Sequence, residues 1–132
     1  KSELDAFQKE KISSLYDSLQ SQIKAENEVD VLSLNTSNLP ADGVKDLAFR
    51  FRASNPRICF IGYGENEGKV NLTLMLGEEI VEKGKDASKI IREVSKEIKG
   101  GGGGQKHFAT AGGKDASGLE KAVELIKEII LA

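Results

Sequence analysis

The sequence predicts an α/β (α+β) fold, a mixed β-sheet packed by helices and preceded by an N-terminal helical arm. Three observations carry this expectation. Val70, Leu72, Leu74 and Leu76 alternate with Asn71, Thr73 and Met75, the period of a strand with two distinct faces. Val44, Leu47, Ala48 and Phe51 recur at i, i+3, i+4 and i+7, the stripe of an amphipathic helix. Residues 3–27 contain no Gly or Pro, and Leu4, Phe7, Ile12, Leu15, Tyr16, Leu19 and Ile23 fall near helical spacing.

Taken in order, residues 3–27 read as a helix about 37 Å long at about 1.5 Å per residue. Such an element has little to bury against in a small domain, so it is expected to continue upstream or to pack on a partner chain. Residues 1–28 thus read as the end of a helical arm, and 29–132 as the globular domain. Val29 to Leu34 is a β-branched and aliphatic run, hence a strand. Asp42 is placed to cap the Val44–Phe51 helix, and Asn55-Pro56 to end it. Arg57 to Tyr63 is a second strand, joined as a hairpin to Val70–Leu76 through the glycine-containing 64–68 segment. Asp86 caps a helix running to about Lys99, residues 107–111 form the last strand, and Ser117 with Glu120 makes a capping box for a helix over 118–131.

Composition narrows the function classes. At 132 residues, 39% hydrophobic and 30% charged, the chain fits one globular domain with a sizeable core. No apolar run approaches the roughly 20 residues that cross a bilayer. Cys59 is the only cysteine and cannot form an internal disulfide, so a reducing cytoplasm is the expected compartment. One His and one Cys exclude a Cys/His zinc site built from this chain alone. The chain begins at Lys1, as expected of a piece of a longer polypeptide.

The formal net charge is −2, but it is unevenly distributed. Residues 85–114 carry 7 basic and 3 acidic side chains, together with seven of the fourteen glycines. Residues 1–56, 57–84 and 115–132 are each net acidic. At about 100° per residue, Lys85, Lys89, Arg92, Lys96 and Lys99 fall within an arc of about 80°, opposite Ala87, Ile90, Ile91, Val94 and Ile98. A charged face is ordinary on a surface helix. Sorting of the cations away from Asp86, Glu93 and Glu97, inside an acidic chain, points instead to phosphate contact.

Gly100 to Gly104 is the second signal. Five consecutive glycines are costly to order, which suits a place where backbone must approach something closely, and their amides could hold phosphate. Neither G-x-x-x-x-G-K-[ST] nor G-x-G-x-x-G occurs, so no mononucleotide fold signature is present. His107 stands at no recognisable motif spacing from a serine or cysteine, and no catalytic constellation is expected.

The text GGGGGQKHFATAGGKD at 100–115 resembles the glycine-rich motif of the C-Ala domain, the C-terminal domain of alanyl-tRNA synthetases in the DHH-associated family. The likeness runs from about Val29 to Ile130. Family members carry a basic residue and a proline after the glycines, then Ala-Gln-Ala-Gly-Gly. Here Gln105, Lys106 and Thr110 depart from that pattern, while Ala109, Ala111, Gly112 and Gly113 keep it.

The resemblance implies a tRNA-binding appendage of an ATP-dependent alanine–tRNA ligase that contacts the outer corner of tRNA(Ala) and helps join aminoacylation and editing. It implies other synthetase domains as partners, a dimerising role for residues 3–27, and no membrane. No cofactor is expected in this piece, although the parent family uses ATP with magnesium, and zinc in its editing domain. The candidate RNA-binding set is Lys85, Lys89, Arg92, Lys96 and Lys99; Gly101, Gly102, Gly103 and Gly104; Lys106, His107 and Phe108, the latter two for stacking; and Gly112, Gly113 and Lys114. No catalytic or metal residue is assigned. Arg50, Arg52 and Arg57 form a second phosphate cluster, with Arg57 equally readable as a surface spacer.

Two other readings compete. In DHH-family phosphoesterases the substrate-binding domain has histidine directly after the glycines, where this chain has Gln105. A pure interaction module would instead dimerise through Leu15, Leu19 and Ile23.

Overall fold

The structure is a computed structural model describing residues 13–26, 29–37, 41–66 and 68–131. One six-stranded mixed sheet organises it, with strands in the order β1-β2-β3-β4-β6-β5. The strands are β1 (Lys24–Glu26), β2 (Val29–Asn35), β3 (Ile58–Asn66), β4 (Lys69–Leu76), β5 (Gly101–Gly104) and β6 (Phe108–Gly113). Only β2 and β3 run parallel; the other neighbours are antiparallel.

Alternation places helices on both faces. In β3, Ile58 and Phe60 point to one side and Cys59 and Ile61 to the other, all fully buried. The first side receives a helix over residues 13–19, named α1, and α2 (Ala41–Ser54), which connects the parallel pair. The second receives α3 (Glu78–Glu82), α4 (Ala87–Val94) and α5 (Leu119–Leu131) through Ile80, Ile91, Val94, Ala122 and Ile126. Phe51 and Phe60 stack at 5.9 Å between α2 and the sheet. Truncating either to alanine should cost about 3–5 kcal/mol. The expected β3–β4 hairpin is present, and Gly68 at φ 81 supplies the left-handed residue of its turn.

Several expectations are corrected. The helix foreseen over 3–27 does not run to its end: after residue 19 the chain makes a 3-10 turn at Gln20–Gln22, Ile23 is extended, and β1 pairs with β2 at the sheet edge. Residues 3–12 and 27 lie outside the described residues. Leu19 is fully buried against Leu32, Leu47 and Phe51, with Leu15 and Ile23 half-buried beside it, so this apolar seam packs on the domain itself. Tyr16 seals the contact, its ring 4.6 Å from Phe51 and its hydroxyl donating to Ser54 Oγ at 2.6 Å. Helix α2 starts at Ala41, which puts Asp42 inside the first turn rather than before it. Ser117 is likewise not the cap of α5. It sits in a 3-10 turn, Ala116–Gly118, whose cap is Asp115. Helix α3 and strands β1 and β5 were not foreseen. Among the described residues, no helix is long and apolar enough to cross a membrane.

Candidate nucleic-acid interface

Helix α4 begins as the sequence requires. The Asp86 carboxylate accepts from the amides of Ser88 and Lys89 at 3.0 and 3.3 Å. The Ala87 amide donates to the Lys106 carbonyl at 2.9 Å and the Ile90 amide to the Asp86 carbonyl. All the free amides of the first turn are therefore taken, and the helix N-terminus is not a phosphate site.

The helix ends earlier than expected. After Val94 the chain tightens into a 3-10 turn, Ser95–Ile98, and Lys99 adopts the left-handed conformation at φ 51. A 3-10 turn advances about 120° per residue, so the row drawn at about 100° does not hold past Arg92. Lys89, Arg92, Lys96 and Lys99 are all exposed. Lys85 leaves the row altogether: its half-buried Nζ donates to the Ile129 carbonyl at 2.9 Å, closing the end of α5. Glu97 is drawn to Lys121 at 3.8 Å, away from the cations.

The glycine tract is neither a linker nor a loop. Gly101–Gly104 is the edge strand β5, paired with β6 in the register Gly101↔Gly112, Gly102↔Ala111, Gly103↔Thr110 and Gly104↔Ala109. Its glycines serve two purposes. A methyl group on Gly102 would stand 2.2 Å from the Thr110 carbonyl, and one on Gly104 would stand 2.4 Å from the Phe108 carbonyl. Gly113 is closed in the same way by the Ile98 carbonyl at 2.3 Å. These three are demanded by packing. Gly101 meets nothing within 4 Å, and its partner Gly112 meets only the Val70 carbonyl at 3.8 Å. The pair Gly101–Gly112 is thus a bare, exposed patch of backbone. Gly103 lies under the Arg92 guanidinium.

Cations frame this edge. Lys106 is exposed at the β5–β6 hairpin, Arg92 flanks the strand, and Lys99 and Lys114 are exposed at the far end, where Gly100 and Gly113 meet. Asp115 lies at that end too; the hydroxyl and amide of Ser117 hold its carboxyl below the usual range, with Lys99 adding to the effect.

At the hairpin, the His107 carbonyl accepts from the Leu76 amide at 2.7 Å and the Gln105 amide donates to the Phe108 carbonyl at 2.8 Å. Burial, then the nearby Arg52 charge, lowers the His107 pKa, so the ring is neutral at physiological pH. It presents a neutral ring and not a cation. His107 and Phe108 do come together, and Phe49 of α2 joins them at centroid distances of 6.3 and 5.3 Å. Sequence reasoning missed Phe49 because it lies off the apolar stripe of its helix. Its signal was there to be read, an aromatic at a position that periodicity assigns to the surface. Of the second arginine cluster, Arg50 pairs with Asp46 at 3.3 Å and Arg57 with Asp30 at 3.6 Å. Arg52 stays with the hairpin, its Nε buried without a partner.

Comparison with known proteins gives this geometry a family. The DHHA1 domain family matches residues 31–132. An alanine–tRNA ligase of Bacteroides thetaiotaomicron is 38% identical over 130 residues, covering 98% of this chain. The chain spans 15% of the length of that curated relative. The crystal structure of the C-Ala domain from Aquifex aeolicus alanyl-tRNA synthetase matches at a TM-score of 0.75 and 27% identity, over 83% of this chain and 98% of that one. An exopolyphosphatase-related protein from Bacteroides fragilis shares the fold at a TM-score of 0.57, with 14% identity over 90% of this chain and 34% of its own. With a glycine edge strand at the motif that suggested it, and the sheet and helices superposing on the Aquifex domain, this chain belongs to the DHHA1 domain family and is similar to the C-Ala domain of alanyl-tRNA synthetase.

Proposed function

We propose that this chain is the tRNA-binding C-terminal domain of an alanine–tRNA ligase, that it contacts the outer corner of tRNA(Ala), and that it helps bring aminoacylation and editing to one tRNA. The observation that carries the reading is the bare Gly101–Gly112 backbone patch at the sheet edge, framed by Arg92, Lys99, Lys106 and Lys114. A flat surface without side chains accepts the face of an exposed base, and the cations beside it meet the flanking phosphates. An enclosed pocket for a small metabolite would need walls that an edge strand of glycines does not supply. Catalysis belongs to other domains of the parent enzyme, whose ATP, magnesium and zinc chemistry lies outside this chain.

The test is a titration of tRNA(Ala) into the 132-residue chain at two salt concentrations. With about four phosphates engaged, affinity should fall roughly 100-fold between about 50 and 200 mM salt. A level affinity across that range, or no binding at low salt, would reject the reading.

A further inference from the structure

Among the described residues, Phe49 is the one large hydrophobic side chain that is exposed, at 38%. It does not stand alone. Its ring lies against Phe108 at 5.3 Å and presents an edge to His107 at 6.3 Å, so three aromatic rings from α2 and the β5–β6 hairpin make one surface. The charges around it are sorted. At about 100° per residue, Lys45, Phe49 and Arg52 share about 60° of one flank of α2, whereas Asp46 and Arg50 neutralise each other on the opposite flank. Among the described residues, neither Lys45 nor Arg52 meets a carboxylate within ion-pair distance, and Arg52 Nε has no hydrogen-bond partner. The hairpin that carries His107 also carries Lys106, whose carbonyl is bonded to the first amide of α4. The aromatic cluster and the cationic edge thus share one hairpin, which carries both His107 and Lys106.

From this we infer that Phe49, His107 and Phe108 form a second contact with RNA, stacking an unpaired base of the bound tRNA, while Lys45 and Arg52 hold the phosphates beside it. The inference rests on the tRNA-binding reading above and extends it across the hairpin to the α2 face of the sheet. An exposed ring between unpaired cations suits a nucleotide, whose base is flat and apolar and whose backbone is anionic. An apolar protein segment would leave Lys45 and Arg52 without a counterpart.

The chain has no tryptophan, so Phe49→Trp installs a single fluorescent reporter at the surface. Titration with tRNA(Ala) should quench its emission in step with binding followed independently by anisotropy of labelled tRNA. Phe49→Leu should weaken tRNA affinity roughly 10- to 100-fold with a melting temperature close to wild type, since leucine keeps most of the apolar volume but cannot stack. Phe49→Ala should weaken it as much while also losing the contact with Phe108. Unquenched indole emission from the Phe49→Trp chain alongside normal tRNA binding, or wild-type affinity in Phe49→Leu, overturns this inference and leaves the tRNA-binding reading intact. Absence of tRNA binding by the wild-type chain overturns both.

Discussion

The guanidinium of Arg92 lies over Gly103, where a methyl group on the glycine would stand 3.5 Å from Nε. That contact joins the two features that stood out in the sequence, the cationic helix and the glycine run, into one surface. Arg92 rests on backbone with no side chain to lift it. Replacing Lys89, Arg92 and Lys96 by glutamate should abolish measurable tRNA binding without unfolding the chain, because all three are exposed. Arg92→Ala alone should lower the slope of log affinity against log salt by about one.

Gly101 and Gly102 are adjacent, yet they should respond differently to alanine. Gly101→Ala adds a methyl group to open space, so the melting temperature should hold while tRNA affinity drops. Gly102→Ala drives a methyl group to 2.2 Å from a β6 carbonyl, and should destabilise the fold by about 2–3 kcal/mol. Thermal melts paired with tRNA titrations separate the two.

Lys85 should matter for stability and not for RNA. Lys85→Met removes the bond to the Ile129 carbonyl at the end of α5, with an expected loss of about 1 kcal/mol in denaturant unfolding. Its tRNA affinity should match wild type.

His107 gives the domain a predictable acid response. Its folded-state pKa lies below the ordinary 6.5, so between those two values the unfolded chain binds the extra proton. The stabilisation is complete above pH 6.5 and is lost as pH falls toward the folded-state value. Melting temperature should decline over that window in the wild type, and the decline should be shallower in His107→Gln. As the only histidine, its ring protons can be titrated directly by NMR.

Cys59 is fully buried near the start of β3, an inner strand of the sheet, and burial pushes its pKa up to about 12. It should resist thiol reagents at pH 8 in the native chain and react promptly once the domain is unfolded in urea. Rapid labelling without denaturant would show that the sheet centre opens locally.

The parts legible in the sequence are those whose signal is local. The alternation in β4, the stripe of α2 and the Asp86 cap each reside in a few consecutive residues, and each is realised. Strand β5 is invisible there because glycine carries neither a pattern nor a propensity for strands; it is a strand because β6 offers a free edge, with α4 beside it at Gly103. Strand β1 is hidden for a related reason. Lys24, Ala25 and Glu26 are all exposed, so no apolar face marks where the helix stops. The basic row is legible as far as α4 lasts. Lys85 is lost from it through a contact 44 residues away, and no local spacing encodes such a partner. The meeting of Phe49 with His107 and Phe108 is equally long-range.

A border strand without side chains also lacks the guards that most sheets post against strangers. Lysines and prolines along a rim normally turn away a foreign strand. Here the length of the rim offers only main chain, with Arg92 beside it and the lysines Lys99, Lys106 and Lys114 confined to its ends. Anything that covers that rim shields it as well, and a naked preparation concentrated for long periods should begin to self-associate there first.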